Sequence, residues 1–181
     1  MFNNTKKILT GVFIISSLSF SKGMINFQKQ LMIENEKKIE TSENDTKDNT
    51  YKNNKDNEEK IRYKIVEFAK TQIGKPYVYG ATGSSSFDCS SFVQYVFKKT
   101  LGITIPRVSA EQSIFKPKLY NNIKKGDLLF FETLEKGRIS HVGMYIGNRQ
   151  FIHASSKSKR VIVSDFTGFY QDKFRWAVSV I

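Results

Sequence analysis

The sequence predicts an α+β fold with helices packed on one face of an antiparallel sheet, because its helical periods come first and its alternating β-branched runs come last. Ile61, Ile65, Phe68, Ala69 and Ile73 recur at helical spacing, which predicts an amphipathic helix over Glu59–Ile73, stopped by Gly74 and Pro76. Tyr77-Val78-Tyr79-Gly80 then leads into a Gly/Ser-rich loop, Ala81–Ser86. Phe92, Val93, Val96 and Phe97 form one apolar stripe, so Ser90–Lys99 reads as a half-buried helix closed by Gly102, with Asp88 or Cys89 at its N-terminal boundary. A loop with a short helix follows Pro106, and Gly126-Asp127 turns into a strand over Leu128–Phe131. Further strands are expected over His141–Ile146, Gln150–Ala154, Arg160–Val163 and Phe174–Val180.

The N-terminal third has a different composition. Lys6 and Lys7 precede an apolar run, Ile8–Phe20, and Ser19-Phe20-Ser21 offers small residues for cleavage, so residues 1–21 read as a secretory signal peptide. A bilayer span wants about 20 apolar residues, and this run is shorter, so no integral membrane anchor is expected once the signal is removed. Residues 22–60 are dominated by Asn, Lys, Glu, Asp, Thr and Ser. Met24–Ile39 holds scattered apolar residues that allow a short helix, while Thr41–Lys60 reads as a disordered polar tether. Residues 61–181 are the expected folded domain, and no internal repeat divides them.

That domain carries 19 Lys and Arg against 8 Asp and Glu, or +11 of the chain's net +12. Such a domain is attracted to polyanions. No motif of basic residues interleaved with stacking aromatics is present, so nucleic acid is not an expected partner.

Cys89 is the only cysteine, and the only two histidines, His141 and His153, lie downstream of it. A lone cysteine cannot close an intramolecular disulfide, which leaves two readings: an inert buried side chain or a nucleophile. At a helix N-terminus the thiol pKa is expected to fall from about 8.5 toward neutrality, and a backbone N–H there could face a developing oxyanion. On the candidate strands His141, Gly143 and Tyr145 share one face. A three-residue hairpin loop, Gly147-Asn148-Arg149, sets Gly143 opposite His153 and brings His141 diagonally beside it. Gly143 then either makes room for an imidazole or marks a bulge. The arrangement expected is a Cys89 nucleophile, a His141 base and a His153 that fixes the tautomer of His141, working as a thiolate–imidazolium pair. A zinc site built from the same three residues is the alternative, although no compact Cys/His cluster is present.

Gly74-Lys75-Pro76-Tyr77, Phe87-Asp88-Cys89-Ser90, Ile105-Pro106-Arg107, Gly126-Asp127-Leu128, His141-Val142-Gly143-Met144-Tyr145-Ile146-Gly147 and Phe151-Ile152-His153-Ala154 together resemble the successive signatures of the NlpC/P60 cell-wall cysteine peptidases. The resemblance covers about residues 61–181 and implies a papain-like α+β fold. It also implies cleavage of peptidoglycan stem peptides between D-glutamate and a diamino acid, without a cofactor or metal. It casts Cys89, His141 and His153 as the catalytic residues. Asp88 and Ser90 are similar to residues that hold the free amino group of the stem peptide's L-alanine, and Tyr77 to one placed near the nucleophile. Asp88 or Ser90 could equally cap the helix, and Tyr77 could be core packing. Ser91 stands where the family commonly has glycine and is expected to narrow the approach along the helix; Ala81 replaces a second frequent glycine. The implied partners are stem peptides and anionic envelope polymers, and the implied location is the periplasm, cell wall or extracellular space. A non-catalytic wall-binding module and a related cysteine amidase or transpeptidase are the alternatives.

Overall fold

The structure is a computed structural model that describes residues 29–30, 32–34 and 52–181. The expected signal peptide and residues 35–51 of the expected tether lie outside the described residues, and the described residues between 29 and 34 are helical. The chain divides into two compact units, Met1–Tyr51 and Lys52–Ile181, and the candidate site lies in the second.

Residues 52–70 form helix α1. It includes residues 52–60, which composition assigns to the tether. A run with no core-forming residues can still be helical when one end is anchored, because extending a formed helix is far easier than starting one. Ile65, Val66 and Ala69 provide the anchor, at 0, 3 and 0 % exposure. Glu58 adds an i,i+4 pair with Arg62 at 2.7 Å and reaches Lys124 at 2.9 Å. The helix stops at residue 70, short of the expected Ile73, and Gly74, at φ 88°, donates to the Val161 carbonyl at 2.9 Å. Ile73 is therefore half exposed rather than part of the buried stripe.

Helix α2 spans Cys89–Leu101 and is fixed at both ends. Asp88 is its N-cap, accepting from the Ser91 amide at 2.7 Å, while the Asp88 amide donates to Ser91 Oγ at 2.9 Å. Gly102 closes it in the left-handed region at φ 71°. The Ser91 side chain is thus turned back into the cap and is 1 % exposed, so it does not narrow the approach to Cys89 as its departure from glycine led one to expect.

The sheet is antiparallel throughout, in the order β1-β6-β2-β3-β4-β5. Its strands are β1 (Lys118–Leu119), β2 (Leu128–Phe131), β3 (His141–Gly147), β4 (Gln150–Ser155), β5 (Arg160–Asp165) and β6 (Phe174–Val178), with short helices α3 (Ser109–Gln112) and α4 (Phe169–Lys173) between them. One sheet face, with Leu128, Phe130, Val142, Met144, Ile152 and Ala154, packs with the apolar sides of α1 and α2 into the main core. The other, with Leu129, Phe131, Phe151 and Ala177, is covered by Phe166, Phe174 and Tyr170 of α4. This is the α+β architecture expected, with a second, aromatic layer that the sequence reading did not include.

The β3–β4 hairpin reaches the expected register by another route. Its turn has two residues, Asn148 and Arg149, both at positive φ, and Gly147 pairs with Gln150. A two-residue turn alone would carry one histidine to the opposite face, but a bulge between Tyr145 and Gly147 inserts the compensating residue. Tyr145 faces Phe151 and Met144 faces Ile152, so His141, Gly143 and His153 share the aromatic face of the sheet.

Gly143 has a specific steric cause. A Cβ placed there would lie 2.5 Å from Phe151 Cδ2 and 3.1 Å from His153 Cβ. The glycine mainly admits the Phe151 ring, which in turn stacks on the His153 imidazole at 4.7 Å between centroids. Gly143→Ala is expected to destabilise the domain by about 1–3 kcal/mol through overpacking, read as a lower denaturation midpoint.

Candidate active site

Cys89 is the first residue of α2 and lines an open cleft of about 540 Å³. Tyr77, Asp88, Ser90 and Arg107 form part of the lining, and Arg138, Ile139 and Ser140 approach from the β2–β3 loop. The sulfur is close to the backbone N–H groups of Val142, Ser90 and Cys89 itself, which favour its thiolate. Burial acts in the opposite direction and prevails, helped by the Asp88 charge, so the thiol pKa is pushed up to about 11. This corrects the expected near-neutral thiol: the positive end of α2 is present, but its effect is smaller than the cost of removing a thiolate from water.

His141 Nε2 lies 2.8 Å from His153 Nδ1, and the rings meet nearly perpendicular, at 85°. Phe131, Phe151 and Tyr170 surround the pair. Burial lowers the His141 pKa to about 4, and burial followed by the neighbouring His141 charge lowers that of His153 as well. The expected thiolate–imidazolium pair is therefore not the resting state; thiol and imidazoles are all neutral at pH 7. No hydrogen bond joins the Cys89 sulfur to the His141 ring among the described residues. The link between them runs along the backbone: the Val142 amide faces the sulfur, and His141 is the preceding residue on β3, although neither histidine lines the cleft.

These values set the direction of thiol reactivity. Alkylation requires the thiolate, so iodoacetamide is expected to label native Cys89 more slowly than the denatured chain at neutral pH. The native rate should rise about tenfold per pH unit and approach the denatured rate as pH nears 11. A native rate equal to the denatured one at pH 7 would contradict the buried, neutral thiol.

His153 Nε2 lies 3.0 Å from Ser164 Oγ, so both nitrogens of this ring have protein partners and neither is free to bind zinc. Ser164 escaped the sequence reading because β5 was ended at Val163; alternation along a strand two residues longer puts it beside Ile162, the cross-strand partner of His153.

Asp88 is both cap and cleft residue. Its Oδ1 accepts from Ser90 Oγ at 3.2 Å and Arg107 Nη1 at 3.1 Å, besides Ser91, and its Oδ2 accepts from Arg107 Nη2 at 2.6 Å and the Gly80 amide at 3.2 Å. Burial would raise its pKa, but the Arg107 and Ser91 bonds outweigh this and hold the carboxyl below its ordinary value. Arg107 also donates to Ser90 Oγ at 3.0 Å and to the Ala81 carbonyl at 2.8 Å, which ties the Gly/Ser-rich loop to the cap. It was read only as a motif residue, yet a buried N-cap carboxylate calls for such a counter-charge. Tyr77 is partly exposed beside this group, its phenol pKa raised by burial and then by Cys89 and Asp88.

Residues 74–180, the stretch that builds this cleft and histidine pair, match the NlpC/P60 family. The chain belongs to that family. Among its NlpC/P60 relatives, a gamma-DL-glutamyl hydrolase of Bacillus subtilis is 45% identical over 102 residues, covering 55% of this chain and 24% of the relative. Murein DD-endopeptidase MepS/Murein LD-carboxypeptidase of Escherichia coli is 34% identical over 122 residues, covering 67% of this chain and 64% of the relative. The crystal structure of an NlpC/P60 family protein from Bacillus cereus superposes with a TM-score of 0.61 at 33% identity, covering 65% of this chain and 39% of that one. This chain thus spans between about a quarter and just under two thirds of the length of these relatives.

Proposed function

We propose that this chain is a peptidoglycan hydrolase, a cysteine peptidase that cuts stem peptides between D-glutamate and a diamino acid. The observation that carries the reading is the His141–His153 bond, in a chain of the NlpC/P60 family whose lone cysteine lines a cleft at a helix N-terminus. The relatives' names, gamma-DL-glutamyl hydrolase and Murein DD-endopeptidase MepS/Murein LD-carboxypeptidase, support the substrate class, and the first of them the D-glutamyl bond.

Because the resting thiol and imidazole are neutral, the Cys89 proton passes to His141 as sulfur attacks the γ-D-glutamyl carbonyl, rather than before it. The N–H groups around the sulfur favour the negative charge that develops there. His141 then protonates the leaving amine, and a water activated by His141 hydrolyses the thioester and restores the thiol. His153 orients His141 and needs no net charge to do so. Asp88, the sole carboxylate lining the cleft among the described residues, and Ser90 are the proposed contacts for the L-alanine amino group, with Tyr77 flanking the reacting carbon. Arg107 already neutralises Asp88, so an incoming ammonium shares that carboxylate rather than claiming it.

Export to the wall, through removal of residues 1–21, and attraction of the basic domain to anionic envelope polymers complete the proposal. The described helices include none long and apolar enough to cross a membrane. Digestion of defined muropeptides with products read by mass spectrometry tests it: a D-glutamyl product with a free terminus supports it. A sugar–peptide cut would indicate an amidase, a new cross-link a transpeptidase, and no product a wall-binding module.

A further inference from the structure

His153 is completely buried, with Nδ1 facing His141 Nε2 at 2.8 Å and Nε2 facing Ser164 Oγ at 3.0 Å. Both rings are neutral at pH 7, so each carries one proton, and one proton must lie between them. Their positions are therefore coupled and only two arrangements satisfy the chain. In the first, both rings are protonated on Nε2: His141 donates to His153, His153 donates to Ser164, and His141 Nδ1 is bare. In the second, both are protonated on Nδ1: Ser164 donates to His153, His153 donates to His141, and His141 Nδ1 is already occupied. Only the first leaves His141 able to take a proton from a thiol.

We propose that Ser164 is a positioning residue whose hydroxyl accepts from His153 Nε2–H and thereby selects the arrangement in which His141 Nδ1 is bare. Its importance for catalysis rests on the reading of His141 as the base. The polarity follows from the role of His141: a base needs a bare Nδ1, and only a serine hydroxyl that accepts from His153 leaves it bare. Tyr170 packs against the pair, its ring edge-on to His153 at 5.4 Å and to Phe151 at 4.8 Å between centroids. The histidine pair thus continues outward to Ser164 on β5.

The chain's two histidines make the test direct. With the full chain labelled with ¹⁵N only at histidine, nitrogen spectra at pH 7 report the proton on each ring nitrogen without any need for turnover. In the wild type both rings are expected as single tautomers protonated on Nε2. Ser164→Ala should move both rings together toward a mixture, and Ser164→Thr, which keeps the hydroxyl, should restore the wild-type pattern. In an active enzyme Ser164→Ala should also lower kcat about tenfold or more at unchanged KM, since a wrong tautomer disables the base. Wild-type rings protonated on Nδ1 would overturn the proposal, and so would a folded Ser164→Ala chain with an unchanged spectrum. The wild-type spectrum decides the polarity even if the alanine variant does not fold. A chain with both protons on Nε2 and no peptidase activity would count against the proposed function and leave the Ser164 relay standing.

Discussion

Cys89→Ala is expected to abolish muropeptide cleavage, with a fall in kcat of about four orders of magnitude or more, while the domain keeps its melting transition. The fold should survive because alanine removes only the sulfur that lines the cleft, and the cap of α2 is formed by Asp88 and Ser91 rather than by the thiol. The core face of the same helix, Phe92, Val93, Val96 and Phe97, is 0 % exposed and untouched by the change. The neighbouring Ser90 is not expected to substitute for it: Ser90 Oγ is bonded to Asp88 and Arg107, with no imidazole partner among the described residues. Cleavage by Cys89→Ala at the wild-type rate would reject the mechanism, and digestion followed by mass spectrometry checks it.

Asp127→Ala should have the largest effect on stability, about 3–5 kcal/mol, measured by denaturant titration. Asp127 is 1 % exposed and sits under the start of β2, where it accepts from buried Arg62 at 2.8 Å and from the Lys124 amide at 2.8 Å. Arg62 in turn donates to the Lys125 carbonyl and to Ser179, so this one guanidinium joins α1, the β2 turn and the C-terminal segment. Alanine removes the carboxylate and leaves a buried cation with, among the described residues, only Glu58 to offset it. A loss below about 1 kcal/mol would show that water or Glu58 compensates, and would remove Asp127 from the framework of the fold.

The two faces of this prediction also mark how far the sequence could be read. Gly126-Asp127-Leu128 was legible as a turn and a motif, but its partner Arg62 lies 65 residues earlier, on a helix whose polar face carried no mark distinguishing it from solvated charge. Helix α2 was legible because its stripe and both caps are local. Strands β2 to β6 were legible because each is a run of apolar or alternating residues. Strand β1 was not, since two residues, Lys118 and Leu119, become a strand only by pairing with Val178 and Ala177 of β6. The start of α1 was misplaced for a related reason: residues 52–60 carry no burial pattern and owe their helix to its anchored end.

At the site, the residue types and the common face of the two histidines were legible, and the protonation states were not. Helix position and motif are properties of neighbouring residues, whereas the pKa of Cys89 depends on how completely the assembled sheet and cleft exclude water. Ser164 and Tyr170 were hidden likewise, because their relation to His153 exists only once β5 and α4 have packed against β4.

The high thiol pKa bears on how long such a residue lasts. Peroxide attacks sulfur as the anion, and the first product, a sulfenic acid, can proceed to sulfinic and sulfonic forms that no longer act as nucleophiles. With a pKa near 11, Cys89 exposes only a trace of that anion at neutral pH, and the chain offers no second cysteine to rescue an oxidised one. Under the proposed function, keeping the proton on sulfur until an acyl group arrives would protect the one atom that mechanism cannot replace.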